Sequence, residues 1–215
     1  MEILAAVRND LKANSDEKTK ESGKRFFKEE IKLYGVQSAV VQKIAKQYFA
    51  DIKNLQKKEI FELCTNLWQS GYMEESFVAC NWSYAIHKQY EEKDIEIFEP
   101  WLKNYVSNWA SCDTLCNHTI GTLVTMYPHL IARLKTWAHS SNRWVKRGAA
   151  VTLIIPARNG LFQTDIFEIA DILLLDSDDL VQKGYGWMLK AASQHDEQKV
   201  FEYVMHNKDR MPRTA

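Results

Sequence analysis

The chain has 215 residues, and its 28 Lys and Arg side chains balance 28 Asp and Glu, so the formal net charge is zero. Hydrophobic residues make up 46% and charged residues 26%, which excludes an intrinsically disordered chain. Eight glycines and four prolines are too few for the many tight turns of a β-sandwich or barrel. This composition predicts a mostly helical protein with a sizeable core.

Apolar residues recur at helical spacing along almost the whole chain. The first thirty-odd residues predict one or two helices. Ten further helices are predicted at 38–50, 59–70, 74–89, 94–106, 109–126, 129–138, 142–154, 163–175, 178–194 and 196–207. The breaks between them are short, which favours antiparallel neighbours.

Taken in consecutive pairs, these helices repeat with a period of roughly 35 residues, which is typical of stacked HEAT or armadillo helix pairs. We therefore expect an all-α superhelical stack of antiparallel HEAT-like helix pairs, an α-solenoid, whose inner helices line a concave groove. No internal boundary divides the sequence, so a single domain over 1–215 is predicted. At the C-terminus, Pro212 stands where the first-turn proline of another helix would sit.

No apolar run approaches the about 18 residues of a membrane helix, and the N-terminus lacks the features of an export signal. The cysteines at 64, 80, 112 and 116 are too sparse for a secreted disulfide framework. Cys112, Cys116 and His118 could supply two or three metal ligands, but no second matching pair exists. We expect packed thiols, no metal and a cytoplasmic location.

The charge is unevenly distributed. The 51 residues from Thr114 to Thr164 contain no Asp or Glu but hold six basic residues. These are Arg133, Lys135, Arg143, Lys146, Arg147 and Arg158. One positive surface on a neutral protein favours a polyanionic partner. The alternative is that part of the window is buried core, as the apolar run at 151–156 indicates.

Two segments combine residues that could carry chemistry. Trp109 and Asp113 are four residues apart, so a helix places the ring and the carboxylate on one face. The alternative is an Asp that caps the helix or lies in its first turn. Arg143 and Arg147 share a face in the same way, and arginine offers paired donors for phosphate. A solvated helix face is the alternative there.

Gly184 and Gly186 interrupt a third helical pattern beside Trp187. Each glycine costs about 1 kcal/mol relative to alanine inside a helix. This cost indicates close approach of a neighbouring backbone or a ligand, or else helix packing alone.

Together, Trp109-x3-Asp113, Trp144-x2-Arg147 and the run from Gln182 to Lys190 resemble the AlkD family of DNA alkylation repair glycosylases. The stretch RFFKEEIKLYGVQ and the C-terminal RMPRTA also resemble that family, so the resemblance spans about residues 24–215. It implies a HEAT-like superhelix that grips duplex DNA in its concave groove. It further implies excision of 3-methyladenine and 7-methylguanine without a base-flipping pocket, a metal or an organic cofactor. We expect a monomer.

The resemblance also assigns residue roles. Asp113 matches the family's catalytic carboxylate, and Trp109 and Trp187 match its cleft tryptophans. Arg147 matches an arginine that touches the DNA backbone. The expected DNA-binding set is completed by Arg143, Lys146, Lys183, Lys190 and Phe26. Phe26 replaces a tyrosine that is frequent in the family, and Lys190 replaces an arginine found in some members.

Two other classes of protein share parts of this pattern. A non-catalytic HEAT-like DNA-binding protein would contain the basic window but would not require Asp113. A protein-interaction scaffold would require neither the basic window nor the Trp–Asp pair.

Overall fold

The structure is a computed structural model that describes residues 2–215. Within this range no β-strand forms, and the extended pairing consists of one isolated bridge between Lys32 and Tyr72. The predicted all-α fold class is confirmed. In residues 2–215, no helix has the length and apolarity that a membrane crossing requires.

Residue contacts divide the chain into two compact units, Met1–Thr114 and Leu115–Ala215. The prediction of a single domain over 1–215 stays a prediction. The first unit contains α1 (Glu2–Ala13), α2 (Glu17–Phe26), α3 (Ser38–Ile52), α4 (Lys57–Gln69), α5 (Met73–Ala85), α6 (Ile95–Asn104) and α7 (Trp109–Thr114). Two 3-10 turns, His87–Gln89 and Glu92–Asp94, connect α5 to α6.

The second unit opens with a π-helical turn, Leu115–Ile120, and a 3-10 turn at Pro128–Leu130 precedes its second α-helix. Its α-helices are α8 (Gly121–Met126), α9 (Ile131–Ala138), α10 (Arg143–Val151), α11 (Ile154–Arg158), α12 (Gln163–Leu173), α13 (Asp179–Ala192) and α14 (Glu197–Asn207).

The predicted helices from residue 38 onwards are found within a few residues of their expected ends, with three local differences. The predicted helix at 142–154 stops at Val151, and α11 starts at Ile154 and contains Pro156. Proline is tolerated there because the N–H groups of a first helical turn have no intrahelical partner. The predicted helix at 109–126 contains the π-helical turn. Residues 208–215 form turns, so Pro212 does not begin a helix.

In the first unit, α5 packs against α3 and α4. Two buried indoles of the first unit have hydrogen-bond acceptors: Trp82 Nε1 donates to the carbonyl of Ala45 at 2.8 Å, and Trp101 Nε1 donates to Thr65 Oγ1 at 2.9 Å. The indole N–H of Trp68, which is also buried, has no acceptor among the described residues. In the second unit, α10 packs against α9 and α13, and α12 packs against α13. The helical periodicity of the sequence thus predicts which face of each helix is buried.

Candidate nucleic-acid interface

The tryptophans fall into two groups by exposure. Five of the seven are buried: Trp68, Trp82, Trp101, Trp137 and Trp144. Trp109, in the first unit, is half-buried, and Trp187, in the second, is 37% exposed. A large aromatic side chain that stays accessible to solvent is a candidate for ligand contact. Trp109 and Trp187 are also the two tryptophans to which the family resemblance assigns a role.

Asn108 caps helix α7, which excludes the alternative that Asp113 is the capping residue. The Asn108 side-chain oxygen accepts a hydrogen bond from the backbone N–H of Ser111 at 2.9 Å, as an N-cap residue does. Asp113 therefore lies five residues beyond the cap, one turn after Trp109 on the same helix face. It is neither a capping residue nor part of the first turn.

Asp113 is 8% exposed, which is unusual for a carboxylate. Burial of a charged group is costly and is retained where the charge has a structural or chemical use. The π-helical turn Leu115–Ile120 begins two residues later, and such turns occur frequently at functional sites. The carboxylate beside an accessible indole could stabilise a positive charge that develops on a bound ligand.

An aromatic cluster surrounds Trp109. The Phe27 ring stacks on the Trp109 ring with centroids 5.4 Å apart and planes at 29°. The Phe26 ring lies 5.6 Å from Trp109 and is itself 69% exposed. The structure therefore brings together the predicted Phe26 and Trp109. Sequence reasoning missed Phe27, although the adjacent pair of phenylalanines at the end of α2 was the available signal.

Two of the three cations of α10 are paired with carboxylates in the second unit. Arg143 Nε lies 2.6 Å from Asp178 Oδ2, and Lys146 forms an ion pair with Asp176. Arg147 is 5% exposed and donates a hydrogen bond to the carbonyl of Leu180. Arg143 and Lys146 of the acid-free window are therefore neutralised in the folded protein by carboxylates of the segment that follows it.

Burial favours a higher pKa for Asp178, but the hydrogen bond from Arg143 and the N–H of Leu180 outweigh it, so the net pKa is lowered. The same pairing extends to α9, where Lys135 Nζ lies 2.7 Å from Asp165.

Phosphate contacts by Arg143, Lys146 and Arg147 stay predictions, and each requires DNA to compete with a partner already present.

Helix α13 presents an exposed stripe of the other predicted residues. Lys183, Trp187 and Lys190 follow one another at spacings of four and three, which places them on one face. Lys183 Nζ lies 3.1 Å from Asp179, whereas Lys190 forms no ion pair with the described residues. This stripe holds a cation and an indole that both reach solvent.

The two glycines of α13 have different neighbours. A Cβ at Gly184 would lie 3.3 Å from Cγ of Arg147, and one at Gly186 would lie 2.8 Å from Cα of Ala215. Gly184 therefore allows the close packing of α10 against α13, and Gly186 allows the backbone of Ala215 to approach α13. Helix packing thus explains Gly184, and close approach of a neighbouring backbone explains Gly186.

The four cysteines are buried, and none forms a disulfide. Among residues 2–215, no three His, Cys, Asp or Glu side chains are grouped as a metal site would require. Burial lowers the pKa of His118.

Comparison with known proteins identifies similar chains. The sequence model of a family described as "DNA alkylation repair enzyme" matches residues 7–215. Among solved structures, one described as "Predicted DNA alkylation repair enzyme from Enterococcus faecalis" superposes with a TM-score of 0.81 over 90% of both chains at 16% identity. At that identity the likeness concerns the fold. No curated protein matches the chain.

Proposed function

The chain belongs to the family of DNA alkylation repair enzymes, and we propose that it is a DNA glycosylase acting in base excision repair. The proposed reaction is hydrolysis of the N-glycosidic bond of 3-methyladenine and 7-methylguanine in duplex DNA. The observation that carries the proposal is the pairing of a buried carboxylate, Asp113, with the accessible indole of Trp109 one helical turn away.

The chemistry of these lesions matches such a site. Alkylation at N3 or N7 gives the purine a positive charge, so the base departs readily and needs no general acid. The sugar becomes oxocarbenium-like as the bond breaks, and a nearby carboxylate stabilises that charge. We assign this role to Asp113, which also orients the attacking water.

We assign the aromatic side chains to the deoxyribose. The face of an indole attracts a cation, and the attraction strengthens as the sugar acquires charge, so it favours the transition state over the ground state. Trp109 is suited to this contact because Phe27 fixes one of its faces and the ring stays accessible. Trp187 is proposed for a similar contact with DNA. No base-flipping pocket, metal or organic cofactor is part of the proposal.

A duplex oligonucleotide with one 7-methylguanine, and a second with 3-methyladenine, test the reaction. Free base is quantified by mass spectrometry under single-turnover conditions, in buffer with and without EDTA. We expect release of both bases at the same rate in the two buffers. An unmodified duplex of the same sequence is the control.

Binding to both duplexes, measured across a salt series, separates the alternatives. Affinity that falls steeply with salt but is not accompanied by base release would indicate a non-catalytic DNA-binding protein. Absence of both binding and release would indicate a protein-interaction scaffold.

A further inference from the structure

Three consecutive polar side chains at the start of α5 are buried. Glu74 and Glu75 are each 1% exposed, and Ser76 is 4% exposed. Two adjacent carboxylates in a protein interior are costly unless each is fully hydrogen-bonded. Their partners therefore show which parts of the first unit this turn of α5 holds in place.

Glu74 binds the backbone between α2 and α3. Its Oε1 accepts hydrogen bonds from the N–H groups of Gly35 at 2.8 Å and Val36 at 3.1 Å, and its Oε2 accepts one from Tyr34 at 3.0 Å. Three bonds to one carboxylate fix both the position and the direction of this loop. The loop has no helical hydrogen bonds of its own to do so.

Gly35 transmits this constraint to α2. Its carbonyl accepts a hydrogen bond at 3.0 Å from the N–H of Asp16, the residue that caps α2. Gly35 has a φ of +89°, and a Cβ there would lie 2.7 Å from the Asp16 carbonyl oxygen, so the contact requires glycine. Helix α2 runs without a break from its cap at Asp16 to Phe26, at the aromatic cluster.

The two side chains that follow Glu74 connect this turn of α5 to α7 and to α1. Ser76 Oγ lies 2.7 Å from Ser111 Oγ, so the turn that fixes the loop also contacts α7, which carries Trp109 and Asp113. Glu75 contacts the same loop at one side chain, because it accepts a hydrogen bond from the Tyr34 hydroxyl at 2.7 Å, and it accepts another from Arg8 Nε of α1 at 3.0 Å. Glu75 is equally buried and adjacent, but its hydrogen bonds go to side chains rather than to the loop backbone, so it is a matched control for the backbone hydrogen bonds of Glu74.

We propose that Glu74 is a positioning residue of the Trp109–Asp113 site. It sets the place of α2, so that Phe26 and Phe27 hold the indole of Trp109 in the orientation that the reaction uses. The kinetic part of this inference rests on the proposed glycosylase function. Its structural part does not, because it concerns the environment of Trp109 in the protein without DNA.

The structural part is tested by fluorine NMR on protein labelled with 5-fluorotryptophan. The Trp109 resonance is assigned by its loss in Trp109→Phe. We expect Glu74→Gln, which keeps the side-chain shape but replaces one acceptor oxygen with an NH2 donor, to shift or broaden that resonance. Phe27→Leu should affect the same resonance, and Glu75→Gln should leave it unchanged. If Glu74→Gln does not fold, Glu74→Asp is used, which keeps the charge but shortens its reach.

The kinetic part uses single-turnover release of 7-methylguanine well below the melting temperature of each variant. We expect Glu74→Gln to lower the rate by about tenfold, because small displacements of positioned groups are costly, with duplex affinity unchanged. Glu75→Gln should change the rate less than about twofold despite a comparable loss of melting temperature. In a Phe27→Leu background, Glu74→Gln should have little further effect, since both act through Trp109.

Three outcomes would each overturn the inference. The first is an unchanged Trp109 resonance in folded Glu74→Gln, and the second is an equal loss of rate in the Glu74 and Glu75 variants. The third is an additive loss of rate when Glu74→Gln is combined with Phe27→Leu. A wild-type protein that releases no base would instead refute the proposed function, and the NMR comparison would still decide the role of Glu74.

Discussion

The two units bury charge of opposite sign. The buried charged residues of the first unit are four carboxylates, Glu74, Glu75, Asp94 and Asp113. In the second unit the buried charged residue is a guanidinium, that of Arg147. Carboxylates suit the stabilisation of a developing cation, and guanidinium groups suit contact with phosphate. This difference motivates the proposed roles, in which Asp113 of the first unit serves the chemistry and Arg147 of the second contacts the DNA backbone.

Burial alone does not mark a carboxylate as catalytic. Glu74 and Glu75 hold a loop and a helix, and Asp94 accepts hydrogen bonds from Lys57 Nζ at 2.9 Å and from the N–H of Glu91 at 2.8 Å. These three carboxylates therefore have structural roles, because each is hydrogen-bonded to another part of the first unit. Asp113 differs because it lies inside a helix that Asn108 already caps, on the face that carries an accessible indole.

The largest effect is expected for Asp113→Asn, which keeps the shape and removes the charge. Loss of ~3 kcal/mol of transition-state stabilisation would slow excision about a hundredfold. The effect should be greatest for 7-methylguanine, the more stable lesion, and milder for 3-methyladenine. Single-turnover rates are measured beside thermal melting, with Asp51→Asn, an exposed carboxylate on α3, as control. An unchanged rate in a folded Asp113→Asn protein would end the catalytic assignment.

In the second unit, Arg147→Ala should lower the free energy of unfolding by about 2 kcal/mol, because a buried, hydrogen-bonded charged side chain is lost. It should also weaken binding to modified and unmodified duplex alike. Arg143→Ala on the same helix removes a partly exposed ion pair and should cost below about 1 kcal/mol. Urea unfolding and duplex titration measure both quantities. Equal stability losses in the two variants would contradict the structural role given to Arg147.

Trp109→Ala and Trp187→Ala compare the two accessible indoles. Each should slow excision by roughly tenfold, less than Asp113→Asn, because a cation–π contact is worth about 1–2 kcal/mol. Trp109→Ala should also lower the melting temperature, since it removes the stack with Phe27. Trp187→Ala should barely change it. Loss of stability without loss of rate would make either indole a packing residue only.

The smallest effect is expected for Asp178→Asn, which retains the cap on α13 because asparagine also caps. At pH 7 it should lower the free energy of unfolding by less than about 1 kcal/mol. A carboxyl with a lowered folded pKa stabilises the fold above its ordinary pKa of 3.8, and the contribution is lost as pH falls through the folded pKa. The two proteins should therefore converge in stability below that pH.

The same substitution should increase duplex affinity a few-fold at low salt, because Arg143 is released from its carboxylate. If affinity is unchanged, Arg143 does not contact phosphate. The salt dependence of binding by both proteins provides the measurement.

The sequence by itself determined the helical content, most helix positions and the family. Helical periodicity is a local pattern, and each helix buries the face that its own residues define. The spacing of Trp109 and Asp113 also fixed their common face, because four residues make about one helical turn. Their candidate status therefore needed no tertiary information.

The tertiary structure decided how charges and side chains pair. The acid-free window predicts a positive surface, yet Asp176 and Asp178 lie outside that window and pair with two of its six cations, Lys146 and Arg143. The carboxylate of Glu74 meets backbone groups about forty residues away, and Phe27 meets Trp109 across an even longer separation. Such contacts depend on how elements pack in space, which local patterns of sequence do not encode.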